Sequence, residues 1–182
     1  MTKRQPALPQ IWLISDPRND GVLERVLHRL PRGSGLIFRH YHLAPAERRK
    51  RFDALVRVAR RRGHMVALAG DAGQARRWGA AGVYGPAHRR ARGGSIIRLV
   101  TAHSLREIGA AHRARAHAVL LSPVFATRSH PGGDTLGALR FRLLAAHALV
   151  PVIALGGMNA RRARRLGTAR WAAVDGLCDE AK

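Results

Sequence analysis

The stretch His117–Asp175, HAVLLSPVFATRSHPGGDTLGALRFRLLAAHALVPVIALGGMNARRARRLGTARWAAVD, decides the fold. It contains three short apolar runs: His117–Leu121, Val152–Leu155 and Trp171–Asp175. Each is apolar nearly throughout, as a strand covered on both faces must be. Between them, Ala138–Leu149 and Asn159–Leu166 read as helices. Strand–helix repetition of this kind dictates a parallel sheet with right-handed crossovers.

The same alternation extends towards the N-terminus. Ile11–Ser15, Leu36–His40, His64–Ala69, Gly82–Tyr84 and Ile96–Val100 read as strands. Gly21–Leu30, Pro45–Arg62, Ala72–Trp78 and His103–Ala114 read as helices. In the second of these, Phe52, Leu55, Val56 and Ala59 recur at helical spacing with arginines opposite. Pro45 suits its first position and Gly63 its stop. Eight βα units predict an α/β protein of the (β/α)₈ TIM-barrel type, with residues 1–182 as one domain. An open doubly wound sheet is the other arrangement this pattern permits. The chain is compact at 182 residues, against roughly 200–250 for such barrels. The connection after the fourth strand reads as nearly helix-free. Only seven residues follow Asp175, so the eighth helix is expected to be absent. A second subunit would cover the resulting gap, which gives a homodimer as the expected assembly.

Composition narrows the function. Lys+Arg is 33 against 11 Asp+Glu, for a formal net charge of +22. Thirty of the 33 are arginine, spread over every predicted helix, which reads as a compositional bias rather than a nucleic-acid footprint. Aromatic residues are 5% of the chain, too few for base-stacking platforms, so no specific nucleic-acid partner is expected. No apolar run is long enough to cross a membrane. The start, MTKRQPALPQIWLIS, lacks the apolar segment of a signal peptide. The single cysteine, Cys178, excludes an internal disulfide and a cysteine-built zinc site. A cytoplasmic location is expected.

In a parallel barrel, chemistry sits at the C-terminal strand ends. Those ends carry Ser15 and Asp16, then Arg39 to His42, Gly70 and Asp71, Thr101 and His103, the loop Ser122–Gly137, and Gly156-Gly157. This set is rich in Arg, His, Ser, Thr and Gly and poor in acids, which suits phosphate. Gly156-Gly157-Met158-Asn159 would let backbone N–H groups approach an anion, or would serve as a plain strand-to-helix turn. The 122–137 loop, with Thr127, Arg128, Ser129 and His130, is too long for a mere connection; a surface loop is the bland reading. His40 and His42 alternate and could pair on a metal, but no acid or cysteine accompanies them. Asp71 is placed either to ligate Mg²⁺ together with substrate phosphate or to cap the helix from Ala72.

The run Leu121-Ser-Pro-Val-Phe-Ala-Thr-Arg-Ser-His-Pro-Gly, then Leu136-Gly, then Val150-Pro-Val-Ile-Ala-Leu-Gly-Gly-Met158, resembles the thiamine phosphate synthases and their relatives, the thiazole tautomerases. The order of elements agrees from about Ile11 to Asp175. The resemblance implies a (β/α)₈ barrel, small phosphorylated substrates and a Mg²⁺ cofactor. It implies a reaction joining hydroxymethylpyrimidine pyrophosphate to thiazole phosphate, with a pyrimidine cation formed on the way. It assigns Arg39 to pyrophosphate, Thr101 to the substrate site, Thr127 and Ser129 to the thiazole phosphate, Gly156 and Gly157 to phosphate, and Asp71 to Mg²⁺. His130 stands where the family has a loop lysine, and Tyr41 where it has another. The second metal aspartate falls in Gly85–Arg90, which has no acid; Arg89, Arg90 or Arg92 would then supply the charge. Asp175 stands in the family's last phosphate loop. A divergent thiamine phosphate synthase is the expected function. The alternatives are a thiazole tautomerase-like enzyme and a non-catalytic phosphometabolite-binding barrel.

Overall fold

In the computed structural model, which describes residues 7–87, 96–129 and 132–178, eight parallel strands close into one barrel. They are β1 (Ile11–Ile14), β2 (Gly35–Phe38), β3 (Met65–Ala69), β4 (Gly82–Gly85), β5 (Ile97–Ala102), β6 (Ala118–Leu121), β7 (Val152–Leu155) and β8 (Trp171–Ala173). The sheet closes where β1 pairs with β8, Ile11 opposite Trp171 and Leu13 opposite Ala173. The doubly wound alternative is thereby excluded. Outside lie α1 (Leu23–Arg29), α2 (Pro45–Arg61), α3 (Ala72–Arg77), α4 (Leu105–Arg113), α5 (Gly137–Ala146) and α6 (Ala160–Leu166). Among the described residues no helix follows β8.

Two departures from expectation have local causes. The segment expected to enter α1 at Gly21 begins earlier, as a 3₁₀ turn over Pro17–Val22. Asp16 and Asn19 form a reciprocal capping box there, with Pro17 at the first turn. Strand β5 runs on through Thr101 and Ala102, which pair with Leu120 and Leu121 of β6. Thr101 therefore belongs to the barrel wall, not to the loop beyond it.

The near-continuous apolarity of the strands follows from two separate cores. Alternate residues, among them Trp12, Ile14, Ile37, Ala67, Leu99, Leu120 and Ile153, fill the barrel interior. The intervening residues, such as Leu13, Leu36, Phe38, Leu68 and Leu121, meet the helices together with Leu27, Phe52, Leu55 and Ile108. Trp12 is the largest interior side chain and is fully buried. It lies over Gly35, its register partner on β2. A methyl group at position 35 would be driven into the Trp12 ring. Gly35→Ala is therefore expected to destabilise the barrel by about 2 kcal/mol or more through overpacking, read as a lower urea midpoint at unchanged m-value.

Candidate active site

The C-terminal strand ends enclose a cleft of about 640 Å³. Arg39, Tyr41, Tyr84, Thr101, His103, Ser122, Thr127, Ser129, Gly156, Gly157, Arg162 and Asp175 are among its lining residues. Six of the residues singled out from sequence, Arg39, Thr101, Thr127, Ser129, Gly156 and Gly157, thus share one cavity. His130 and the arginines Arg89, Arg90 and Arg92 lie outside the described residues.

Arg39 and Tyr41 line the cleft, while His40 between them lies on the opposite side with Phe38. His40 takes a positive φ of 38°, rare for a residue with a side chain, and turns its ring inward. The ring is fully buried and stacks on Phe38 at 4.8 Å. Its Nδ1 lies 2.8 Å from Ser15 Oγ, and its Nε2 lies 2.7 Å from Asp20 Oδ1. Ser15 Oγ accepts the Arg39 backbone N–H at 2.8 Å, so its own proton goes to Nδ1 and Nε2–H donates to Asp20. With both ring nitrogens engaged, His40 is a satisfied core residue, and the metal pair with His42 does not form. Burial pushes the His40 imidazole below its ordinary pKa, against the upward pull of Asp20. Burial alone would raise the Asp20 carboxyl, but hydrogen bonds from Arg51 and His40 outweigh it and hold Asp20 below the usual range. Arg51 continues the chain to Glu24.

Arg48 of α2 secures the neighbouring strand ends. Its Nε donates to the Arg39 carbonyl at 2.9 Å, and an Nη donates to the Ala69 carbonyl at 2.7 Å. The guanidinium packs beside Phe38, Tyr41 and Trp78, at 5.4–5.6 Å from the ring centroids. Tyr41 is consequently held between Arg39 and Arg48. Across the cleft, His103 Nδ1 lies 2.6 Å from the Ser122 carbonyl oxygen. A carbonyl only accepts, so Nδ1 carries the proton in the neutral ring and Nε2 is left as an acceptor.

The paired glycines have a packing reason that spacing did not reveal. Gly156 and Gly157 have φ of 97° and 58°. A side chain at 156 would come within 2.6 Å of Pro123 Cα, and one at 157 would meet the Ala126 carbonyl. The glycines let the 122–137 loop lie directly on the end of β7, where Val124 N–H donates to the Leu155 carbonyl at 2.8 Å. They therefore carry the loop that presents Thr127 and Ser129.

Three cleft or rim residues escaped the sequence reading. Tyr84, expected only as a strand end, is buried at the cleft floor, and burial pushes its phenol up to about 12. It stays a neutral hydroxyl at physiological pH. Arg162 of α6 bonds the Gly157 carbonyl and covers the Phe125 ring at 5.0 Å. Arg18, in the 3₁₀ turn, bonds Ser129 and pairs with Asp16 and Asp175. Asp16 followed three positions later by Asn19 is the sequence signal that could have marked a structured turn there. The lining is poor in acids, as the strand ends suggest: Asp134 and Asp175 stand beside Arg39, Arg128, Arg162 and His103.

Asp71 is exposed, and its Oδ1 accepts the Gln74 backbone N–H at 2.8 Å, capping α3. It is not among the cleft-lining residues. Among the described residues no three His, Cys, Asp or Glu converge as metal ligands. This donor set does not fit a protein-built Mg²⁺ site.

The sequence model described as thiamine monophosphate synthase matches residues 11–177. The chain belongs to the thiamine monophosphate synthase family. Among solved structures it is similar to a thiamine phosphate pyrophosphorylase from Pyrococcus furiosus, with a TM-score of 0.77 and 20% identity, covering 91% of this chain and 85% of that one. A thiamine phosphate pyrophosphorylase from Bacteroides thetaiotaomicron gives a TM-score of 0.63 at 14% identity, covering 94% and 85%. An HpcH/HpaI aldolase/citrate lyase family protein from Burkholderia cenocepacia gives 0.62 at 15%, covering 96% and 91%. These similarities show the barrel fold. No curated protein matches the chain.

Two outcomes follow from the charged groups. The unfolded chain takes up a proton at His40 near pH ~6.5, while the buried ring resists it to lower pH. Stability is therefore expected to fall as pH drops through about 6.5, and this component should vanish in His40→Gln, as followed by urea unfolding across pH. Asp71→Ala should cost about 1 kcal/mol through the lost cap, whereas Asp71→Asn should cost only a few tenths. A loss of Mg²⁺-dependent turnover in Asp71→Asn at unchanged melting temperature would instead make the carboxylate a metal ligand.

Proposed function

We propose that the chain is a thiamine phosphate synthase that joins hydroxymethylpyrimidine diphosphate to thiazole phosphate, releasing diphosphate. The observation that carries this reading is the gathering of Arg39, Thr127, Ser129 and the Gly156-Gly157 turn in one cleft of a barrel belonging to this family. Arg39 supplies a planar guanidinium for the diphosphate. Thr127 and Ser129 supply hydroxyl donors for the thiazole phosphate at the opposite wall. Thr101, on β5 between them, faces the joining point.

The reaction asks for little proton transfer. The pyrimidine methylene–oxygen bond breaks, its electron pair leaves with the diphosphate, and the thiazole nitrogen attacks the resulting cation. The protein's contribution is to hold two anions in register and to stabilise charge as it develops. The neutral Tyr84 hydroxyl adds a polar group to the cleft, which His103 also lines. Among the described residues no protein-built metal site is found. A cytoplasmic location accords with this chemistry, and among the described residues no helix is long and apolar enough to cross a membrane. A homodimer accords with the exposed Leu139, Leu143 and Leu149.

The test is turnover of purified protein with both substrates, with and without Mg²⁺, following thiamine phosphate. Product is expected, and Arg39→Gln should raise KM for the diphosphate substrate by about tenfold or more, the worth of a charge-assisted hydrogen bond. If thiazole phosphate binds but no product forms, the chain is a binding barrel rather than a synthase.

A further inference from the structure

The wall carrying Thr127 and Ser129 has a third partner, Arg18, which no motif in the sequence singles out. Arg18 sits beyond β1, yet its guanidinium joins three strand ends. Its Nε donates to Asp16 Oδ1 at 2.8 Å. One Nη donates to Ser129 Oγ at 2.8 Å, in the loop after β6. The other lies 3.4 Å from Asp175 Oδ2, beyond β8.

Donor accounting shows what this does. A hydroxyl has one proton to give and can accept at its lone pairs. Ser129 Oγ accepts from Arg18, so its own proton remains to be donated. Thr127 Oγ1 accepts the Ser129 backbone N–H at 3.3 Å, which leaves its proton to be donated as well. Both hydroxyls are thereby set as donors before any ligand arrives, the arrangement an incoming anion needs. Arg18 also counters the Asp175 carboxylate, which lines the same cleft and would repel an anion.

We propose that Arg18 is a positioning residue that makes this wall specific for a phosphate monoester over the corresponding alcohol, by polarising Ser129 and pairing with Asp175. This deepens the proposed function and rests on its assignment of the thiazole phosphate to Thr127 and Ser129.

Calorimetric titration of thiazole phosphate and of the unphosphorylated thiazole alcohol tests it. Arg18→Met is expected to weaken the phosphate ester by about tenfold or more, with the alcohol unchanged. Arg18→Lys should recover part of the loss by restoring the charge without the planar fork. Because Arg18 acts in part through Ser129, Arg18→Met should cost less in a Ser129→Ala background, where only its pairing with Asp175 is left to lose. Melting temperatures confirm that each variant is folded. Equal binding of the phosphate ester by wild type and Arg18→Met overturns this proposal alone. So does an equal loss for ester and alcohol, or full additivity of the two substitutions. A folded wild type that binds neither ligand overturns the phosphate-site assignment itself, and this proposal with it.

Discussion

Everything at the mouth of this protein depends on the closing seam between β1 and β8. Until that pairing forms, the turn after β1 and the end of β8 lie at opposite ends of the chain. Once it forms, Arg18 reaches Asp175, and Asn19 donates to the carbonyls of Ile14 and Val174 at 3.0 Å each. A parallel sheet can close only if its interior is filled, and here Trp12 over Gly35 supplies the bulk on one side. Closure and interior packing are therefore one constraint, and the cleft is its product.

The charge balance of the cleft differs from that of the whole chain. The molecule carries +22, but Arg18, Arg48 and Arg51 spend their guanidinium groups on carboxylates, carbonyls and aromatic faces. Of these, Arg48 and Arg51 brace the β2 end from behind, so that Arg39 is left facing the cleft. Arginine abundance here does structural work at the strand ends, where carbonyls and acids would otherwise lack partners. The Asp20–His40–Ser15 relay performs the same service between the barrel and its helices and reaches Arg39 through its backbone N–H.

Much of the fold was legible from the residues because each strand is buried on both faces. Runs such as HAVLL and VIAL can be little else in a chain with this alternation. The same rule explains where the reading fell short. Thr101 is polar and reads as the first residue beyond its strand, whereas β5 continues through it and Thr101 lines the cleft. For the site, residue type and motif placed Thr127, Ser129, Gly156, Gly157 and Arg39 near one another. They did not show that the glycines serve loop packing, that Asp71 caps α3, or that His40 is turned inward by a positive φ. Those outcomes depend on which atoms meet across strands.

The sequence by itself determined the periodic pattern: eight buried strands, amphipathic helices between them, and polar residues gathered after each strand. That information is local, since burial on both faces and helical spacing are written in neighbouring residues. Only the tertiary structure decided which polar groups satisfy one another. Arg18 and Ser129 are 111 positions apart, and their hydrogen bond exists because barrel closure brings the ends of β1 and β6 to the same mouth. A contact of that kind has no local signature, because its energy depends on a geometry that neither segment can form alone.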